Sequence, residues 1–398
     1  MKWVSSIATD EDSHRAVETV IRSTRDQLGD RPPHLLLVFS SPAFTADARD
    51  ILDRLRAELP ATVVIGCSAA GVIGGGVEAE HTPALSLTAA HLPNVKLLPI
   101  YTDTQNLPDA DAPPSAWRES IGIPDNRTPH VLLLADPFSA RISELVHGLD
   151  FILPDQHILG GLASGAREPG GNVLFLNDQV FSEGAVAVGM EGDLRLDTIV
   201  AQGCRPIGDR LHISTCEGNV IHAINGKPPI DYLQSLSPTL NEYDRHLLQT
   251  ALFIGIQMDA LQGHPGHGDY LIRNIMGVDN RTAGLIIAEH VHEGQTVQFH
   301  LRDKLSSAHD LESMLNRAAR DGVFDDGRGA LLFSCLGRGE HLYGSPNHDS
   351  ELLLKKAGDV PIGGFFCNGE IGPVADATYL HGYTSAFGIF SPGTRDVD

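Results

Sequence analysis

The chain is short of the features that mark several functional classes. Its five cysteines (Cys67, Cys204, Cys216, Cys335 and Cys367) are odd in number and include no C-x-x-C pair. That spacing argues against a disulfide framework and a structural zinc site, and it suits a reducing compartment. Basic residues are scarce, with 29 Lys and Arg against 51 Asp and Glu, for a formal charge of −22. A surface of that sign repels phosphate backbones, and no basic cluster offsets it, so nucleic acid is not an expected partner. Long apolar runs are missing too. The longest uncharged stretch, residues 59–77, carries five glycines and a proline, which rules it out as a membrane span. No secretory leader precedes the first strand-like run at Trp3, so the expected location is the cytoplasm. Neither a Walker motif nor a Gly-x-Gly-x-x-Gly turn opening a helix is present, and no nucleotide or other cofactor is assigned.

What is abundant is glycine, 41 residues in 398, placed after short apolar runs. The clearest case is Asp359-Val-Pro-Ile-Gly-Gly-Phe-Phe-Cys-Asn-Gly-Glu-Ile-Gly-Pro373. A buried strand runs into a tight turn there, because glycine permits the positive φ and close backbone approach such a turn needs. Related stretches are Thr62-Val-Val-Ile-Gly-Cys-Ser-Ala-Ala-Gly71 and His157-Ile-Leu-Gly-Gly-Leu-Ala-Ser-Gly165. Each is preceded by another apolar strand and a helical pattern. In the first pass these are His34-Leu-Leu-Leu-Val-Phe39 and the spacing of Ile51, Leu52, Leu55 and Leu59, with Thr45 as the expected N-cap. In the second they are Val131-Leu-Leu-Leu-Ala135, the turn and cap Asp136-Pro-Phe-Ser139, and Ile142, Leu145, Val146 and Leu149. In the third they are Ala330-Leu-Leu-Phe333 and a helix over 350–356. Alternating segments at 84–88, 185–189 and 379–390 follow the three turns. Three passes in one order indicate an internal repeat.

Residues 203–302 differ. Strand-like runs alternate with glycine, Asn225-Gly226 signals a hairpin turn, a short helix is expected over 230–236, and 283–288 with 297–301 reads as a further hairpin. Residues 103–129 read as a surface connection with one short helix near Trp117. The fold class expected is α/β, with repeated strand–helix–strand units, added antiparallel hairpins and two pseudo-related domains, 1–226 and 227–398.

Several of these motifs resemble the FIST domain family. Gly66-Cys-Ser-Ala-Ala-Gly71 and Gly203-Cys-Arg-Pro-Ile-Gly208 are similar to its N-terminal domain. Tyr270-Leu-Ile-Arg-Asn274, Phe333-Ser-Cys-Leu-Gly-Arg-Gly339, and the 363–373 turn with His381-Gly-Tyr-Thr384 are similar to its C-terminal domain. The resemblance spans about residues 31–390 and implies a sensory input module of intracellular signalling that binds a small ligand such as an amino acid. It also implies a separate signalling partner, since no kinase, cyclase, methyl-accepting or F-box segment accompanies the FIST-like region.

Glycine turns at the carboxyl ends of strands are where open α/β sheets take ligands, and successive backbone N–H groups there can hold an anion. The bland alternative is that these glycines only let the repeats pack closely. The expected ligand contacts are Cys67, Ser68, Arg205, Cys335, Arg338, Asn368 and Glu370, gathered around one shared hollow. Arg338 would clamp a carboxylate and Glu370 an amine, or else Arg338 forms a salt bridge with Glu340 or Glu370. Cys335 or Cys367 as a nucleophile defines the enzyme alternative, and an interaction scaffold is the third reading. Ser68 and Ser164 lack the Gly-x-Ser-x-Gly elbow. The His264–His267 cluster reads as a loop, and no metal is assigned to it.

Overall fold

The computed structural model describes residues 1–258, 268–279, 281–375 and 377–393. The His264–His267 cluster lies outside the described residues. Two compact units are present, one of residues 1–200 and 315–398, the other of residues 201–314.

The first unit is built from one pattern used three times. The first repeat runs β1 (Lys2–Thr9), α1 (Ser13–Leu28), β2 (Leu35–Ser40), α2 (Ala48–Glu58), β3 (Val63–Ser68), a hairpin of β4 (Gly71–Gly74) and β5 (Val77–Glu80), and β6 (Ala84–His91). The second runs β7 (Val95–Thr102), α3 (Pro114–Ile121), β8 (His130–Ala135), α4 (Ile142–Ile152), β9 (Ile158–Leu162), a hairpin of β10 (Leu174–Leu176) and β11 (Gln179–Phe181), and β12 (Ala185–Gly192). The third begins with β13 (Arg195–Ala201) and then leaves for the second unit.

In the second unit a closed barrel is formed by β14 (Cys204–Glu217), β15 (Val220–Ile224), β16 (Leu252–Gln257), β17 (Tyr270–Asp279), β18 (Gly284–Ile287) and β19 (Thr296–Arg302). Helices α5 (Pro229–Leu236) and α6 (Glu242–Thr250) lie within this stretch of chain, and α7 (Lys304–Arg320) leads back. The third repeat resumes with β20 (Gly329–Cys335), α8 (Gly339–Tyr343), α9 (His348–Ala357), β21 (Ile362–Cys367), a hairpin of β22 (Glu370–Val374) and β23 (Ala377–His381), and β24 (Ser385–Ser391).

Each repeat gives its hairpin away. The three six-stranded sheets run β1-β6-β2-β3-β10-β11, β7-β12-β8-β9-β22-β23 and β13-β24-β20-β21-β4-β5. The hairpin of the first repeat therefore completes the third sheet, that of the third completes the second, and that of the second completes the first. The exchange closes a ring, which ties the first 200 residues to the last 80 or so through backbone pairs such as Gly363 with Gly74 and Phe365 with Val72. The central pairs β2–β3, β8–β9 and β20–β21 are parallel, and the strands around them are antiparallel.

The apolar runs are continuous because both faces of these central strands are covered. One face meets the helices. Val17, Val20 and Ile21 of α1 and Ile51, Leu52 and Leu55 of α2 pack with Leu36, Val38 and Val64. Asp12 starts α1 by accepting from the N–H groups of His14 and Arg15, and Gly29 at φ 63° stops it. Trp117 of α3 and Leu145, Val146 and Leu149 of α4 cover Val131, Leu133 and Ile158 in the same way. Each such side chain, once buried, contributes about 1.5–3 kcal/mol. The other face packs sheet against sheet, with Phe39 against Phe365 at 4.8 Å and Trp3 stacked on Phe390 at 4.4 Å.

Several local expectations change. Thr45 is not an N-cap, because residues 42–47 form a 3-10 turn before α2 begins. The 379–390 segment is two strands, broken at Tyr383 with φ 64°. Strands β18 and β19 do not form a hairpin; β18 pairs with β15 and β17, and β19 with β14 and β16. Asn225-Gly226 does make the tight turn expected, with both φ values positive and Ile224 bridged to Lys227.

Candidate functional site

The three glycine turns meet. Residues 68–71, 162–165 and 366–369 span the carboxyl ends of β3, β9 and β21, and their backbones are hydrogen-bonded to one another. Ser164 N–H donates to Ser68 O at 3.2 Å, Leu162 N–H donates to Gly369 O at 2.8 Å, and Asn368 N–H donates to Leu162 O at 3.1 Å. Ser164 is the bridge. Its hydroxyl accepts from Ala70 N–H at 3.0 Å and donates to Phe366 O at 2.5 Å, so one side chain joins all three repeats.

What lies among the turns is side chain. Cys67, Ser68, Cys367 and Glu370 are fully buried. A Cβ on Gly161 would sit 2.4 Å from Cys367 Sγ, and one on Gly165 would sit 2.5 Å from Ser68 Oγ. At these two glycines the turns are closely packed. At the outer rim Ala70 and Asn368 are exposed, and Gly165 and Cys335 are half-buried.

The first unit brings together Cys67, Ser68, Cys335, Arg338, Asn368 and Glu370, and commits most of their groups. Ser68 Oγ accepts from Val173 N–H at 2.9 Å and donates to Asn172 Oδ1 at 3.4 Å. Asn172 in turn donates to Asp136, whose other oxygen accepts from Phe138 N–H, Ser139 N–H and the Ser139 hydroxyl; this is the turn expected of Asp-Pro-Phe-Ser but not a helix cap, because α4 starts only at Ile142 after Arg141. Burial pushes the Cys67 thiol well above its ordinary pKa. Burial does the same to Cys367, helped by the fields of Glu370, Cys67 and Cys335.

Arg338 is fully buried and pairs with Asp349, a partner not foreseen in the sequence. Its Nε and Nη2 reach the two carboxylate oxygens at 2.8 and 3.2 Å, and Nη2 also reaches Tyr343 Oη at 2.6 Å. Arg338 Nη1 donates to Tyr383 O, and Glu370 accepts from Thr384 N–H at 3.1 Å, so both residues hold the turn between β23 and β24. Arg205 belongs to the second unit and forms ion pairs there with Asp244 and Asp303.

The exchanged β4–β5 hairpin supplies two carboxylates to the third repeat. Glu78 accepts from the N–H and hydroxyl of Ser350 in the first turn of α9, at 2.8 and 2.7 Å, and Glu80 accepts from Glu340 N–H at the start of α8. Burial, reinforced by the charge on Asp349, raises Glu78 to about 7, against the hydrogen bonds from Ser350. The sign follows directly. Between about 4.5 and 7 the folded chain keeps a proton that the unfolded chain has released, so this contribution to stability is full below 4.5 and is lost as pH rises through 7. Glu78→Gln should therefore flatten the fall in stability between pH 5 and 8 by on the order of 2 kcal/mol in chemical denaturation. A parallel pH profile for the two proteins would refute the assignment.

Among the described residues no group of three His, Cys, Asp or Glu side chains is arranged to hold a metal ion, and no helix is long and apolar enough to cross a membrane. The structural residues missed in the sequence are Asp349, Asn172 and Glu78. Asp349 was within reach, one position before the expected start of α9, where helices favour Asp.

Comparison with known proteins adds family membership. The FIST N domain model matches residues 34–227 and the FIST C domain model residues 230–373. An uncharacterized protein of Mycobacterium tuberculosis is 34% identical over 386 residues, covering 96% of this chain and 98% of that protein. An uncharacterized protein of Mycobacterium bovis is 32% identical over 384 residues, covering 96% and 97%. An F-box/LRR-repeat protein of Arabidopsis thaliana matches 103 residues at 33% identity, 23% of this chain and 18% of that protein. A structure of cyanuric acid hydrolase aligns over 98% of this chain and all of its own at 7% identity and a TM-score of 0.33, which carries no functional weight.

Proposed function

The chain belongs to the FIST family, whose domains are sensory modules of signal transduction, and from that premise we propose that it senses a small polar ligand at the rim where its three glycine turns meet. The observation that supports this reading is the convergence of the carboxyl ends of three parallel strand pairs on one rim, with Ala70 and Asn368 exposed and Gly165 half-buried. The exposed Asn368 carboxamide suits a carboxylate or amide group. Amino acids are the first ligand class to test. With Arg338 engaged by Asp349, recognition falls to the Asn368 side chain and the half-buried Cys335, and not to an Arg–Glu clamp. In this reading the response passes to a separate signalling protein in the cytoplasm.

A thermal-shift screen of amino acids and small carboxylates, followed by calorimetry, tests the proposal. The binder found should lose about tenfold in affinity, on the order of 1.4 kcal/mol, in Asn368→Ala, because a hydrogen-bonding carboxamide is removed from an exposed position. Unchanged affinity in that variant removes the rim from consideration. A screen with no binder removes the amino-acid assignment.

A further inference from the structure

Two of the cysteines are register partners. Cys335 ends β20 and Cys367 ends β21, and these parallel strands pair the two residues directly. Neighbouring strands lie about 4.8 Å apart with partner side chains on one face. That spacing falls within the roughly 4.4–6.8 Å Cα separation that a disulfide spans. Aligning the repeats on Gly66, Gly160 and Gly364 puts Ser41 and Ala69, or Asp136 and Ala163, at the equivalent positions of the other two. The thiol pair is therefore particular to the third repeat and not a requirement of the fold.

The two thiols differ in access. Cys335 is half-buried and its Sγ accepts from Gly337 N–H at 3.4 Å, a contact that favours the thiolate. Cys367 is fully buried behind it. We propose that Cys335 and Cys367 form a redox pair that a hydroperoxide converts to an intramolecular disulfide. In the first step the Cys335 thiolate attacks the terminal oxygen of the peroxide, and the O–O bond breaks. Cys335 becomes a sulfenic acid, and the leaving oxygen takes the thiol's proton to depart as water or an alcohol. In the second step Cys367 Sγ attacks that sulfur, the S–O bond breaks, and the hydroxide leaves as water with the second thiol's proton. Two thiols lose two electrons and two protons, and the peroxide is reduced. Because burial keeps Cys367 protonated, the second step is the slower one, and the sulfenic acid has time to be trapped. The disulfide would fasten the ends of β20 and β21 beside the meeting point of the three turns. It requires no ligand at the rim, so it stands apart from the ligand-sensing reading.

The test is hydrogen peroxide titration of the full chain, with thiol counting and mass spectrometry of the proteolysed product. The expected result is a Cys335–Cys367 cross-link with two thiols lost per chain, reversed by dithiothreitol, before Cys204 and Cys216 react. Cys367→Ala should raise dimedone-trapped sulfenic acid at Cys335 by about tenfold, since the resolving thiol is gone. Cys335→Ser, a near-isosteric change at a half-buried position, should abolish both the cross-link and oxidation at Cys367. Oxidation of Cys216 first, over-oxidation of Cys335 without a cross-link, or oxidation of Cys367 in Cys335→Ser would each overturn the proposal.

Discussion

Alanine at Gly160 or at Gly364 should leave almost no folded protein, whereas alanine at Gly382 should change stability by no more than about 0.5 kcal/mol. The contrast rests on backbone geometry. Gly66, Gly160 and Gly364 are the same residue of the three repeats, each the register partner of Val38, Leu133 or Leu332 on the neighbouring parallel strand. A Cβ at these positions would lie 1.8, 1.8 and 1.9 Å from the carbonyl oxygens of those partners. No rotamer relieves that contact, because both atoms belong to the backbone. The strands would have to separate by more than an ångström, breaking ladder hydrogen bonds in a close-packed interior, at a cost of more than about 4 kcal/mol each. Gly382 is exposed, and a Cβ there meets nothing within 4 Å. Soluble yield and chemical denaturation of the alanine variants decide the matter. A folded Gly160→Ala or Gly364→Ala protein of near-parental stability would mean that the strand pairs are not this close.

These glycines also mark how far the sequence is readable. The apolar runs at 34–39, 131–135 and 330–333, each followed by a helix and a glycine turn, establish the repeated unit, because burial on both faces demands continuous apolar strands. The buried face of α2, with Ile51, Leu52, Leu55 and Leu59, follows from spacing in the same way. The exchange of hairpins does not. Strands β4 and β5 are four residues each, and their partner in β21 lies nearly 300 positions away, so no local pattern specifies the pairing. Residues 203–302 stand out in the sequence as different, and compactness sets 201–314 apart, interrupting the third repeat between its first strand and the rest. At the candidate site the glycine turns were legible, but the hydrogen bonds that join them were not. Whether Ser164 lines a cavity or bridges three backbones depends on distances that residue types leave open.

Removing one member of the Arg338–Asp349 pair is the second large effect expected. Both side chains are essentially excluded from solvent, at 0% and 2% exposure. Burial opposes the charge on Asp349, but the Arg338 guanidinium and hydrogen bonds from His348, Arg338 and Ser385 outweigh it and hold the carboxyl well below its usual range. Arg338→Ala leaves that carboxylate buried without its countercharge and releases Tyr343 and the Tyr383 carbonyl, so a loss of about 3–5 kcal/mol is expected. Asp349→Asn should fall in the same range, and the double variant should lose less than the sum, since each single change already breaks the pair. Arg338→Lys should not rescue, because a point charge cannot reproduce the fork that grips both oxygens. The pH dependence separates this pair from its neighbour. A carboxyl held low contributes stability above its ordinary pKa and loses it only as the pH falls toward its folded value, so the Asp349 contribution is flat between pH 5 and 8. Glu78, raised to about 7, changes across that same interval. In Arg338→Ala burial is no longer offset by the guanidinium and raises the Asp349 carboxyl instead, so the stability lost should be larger at pH 8 than at pH 5, also in the Glu78→Gln background. A loss under about 1 kcal/mol at both pH values would mean that the buried pair does not hold the third repeat's rim in place.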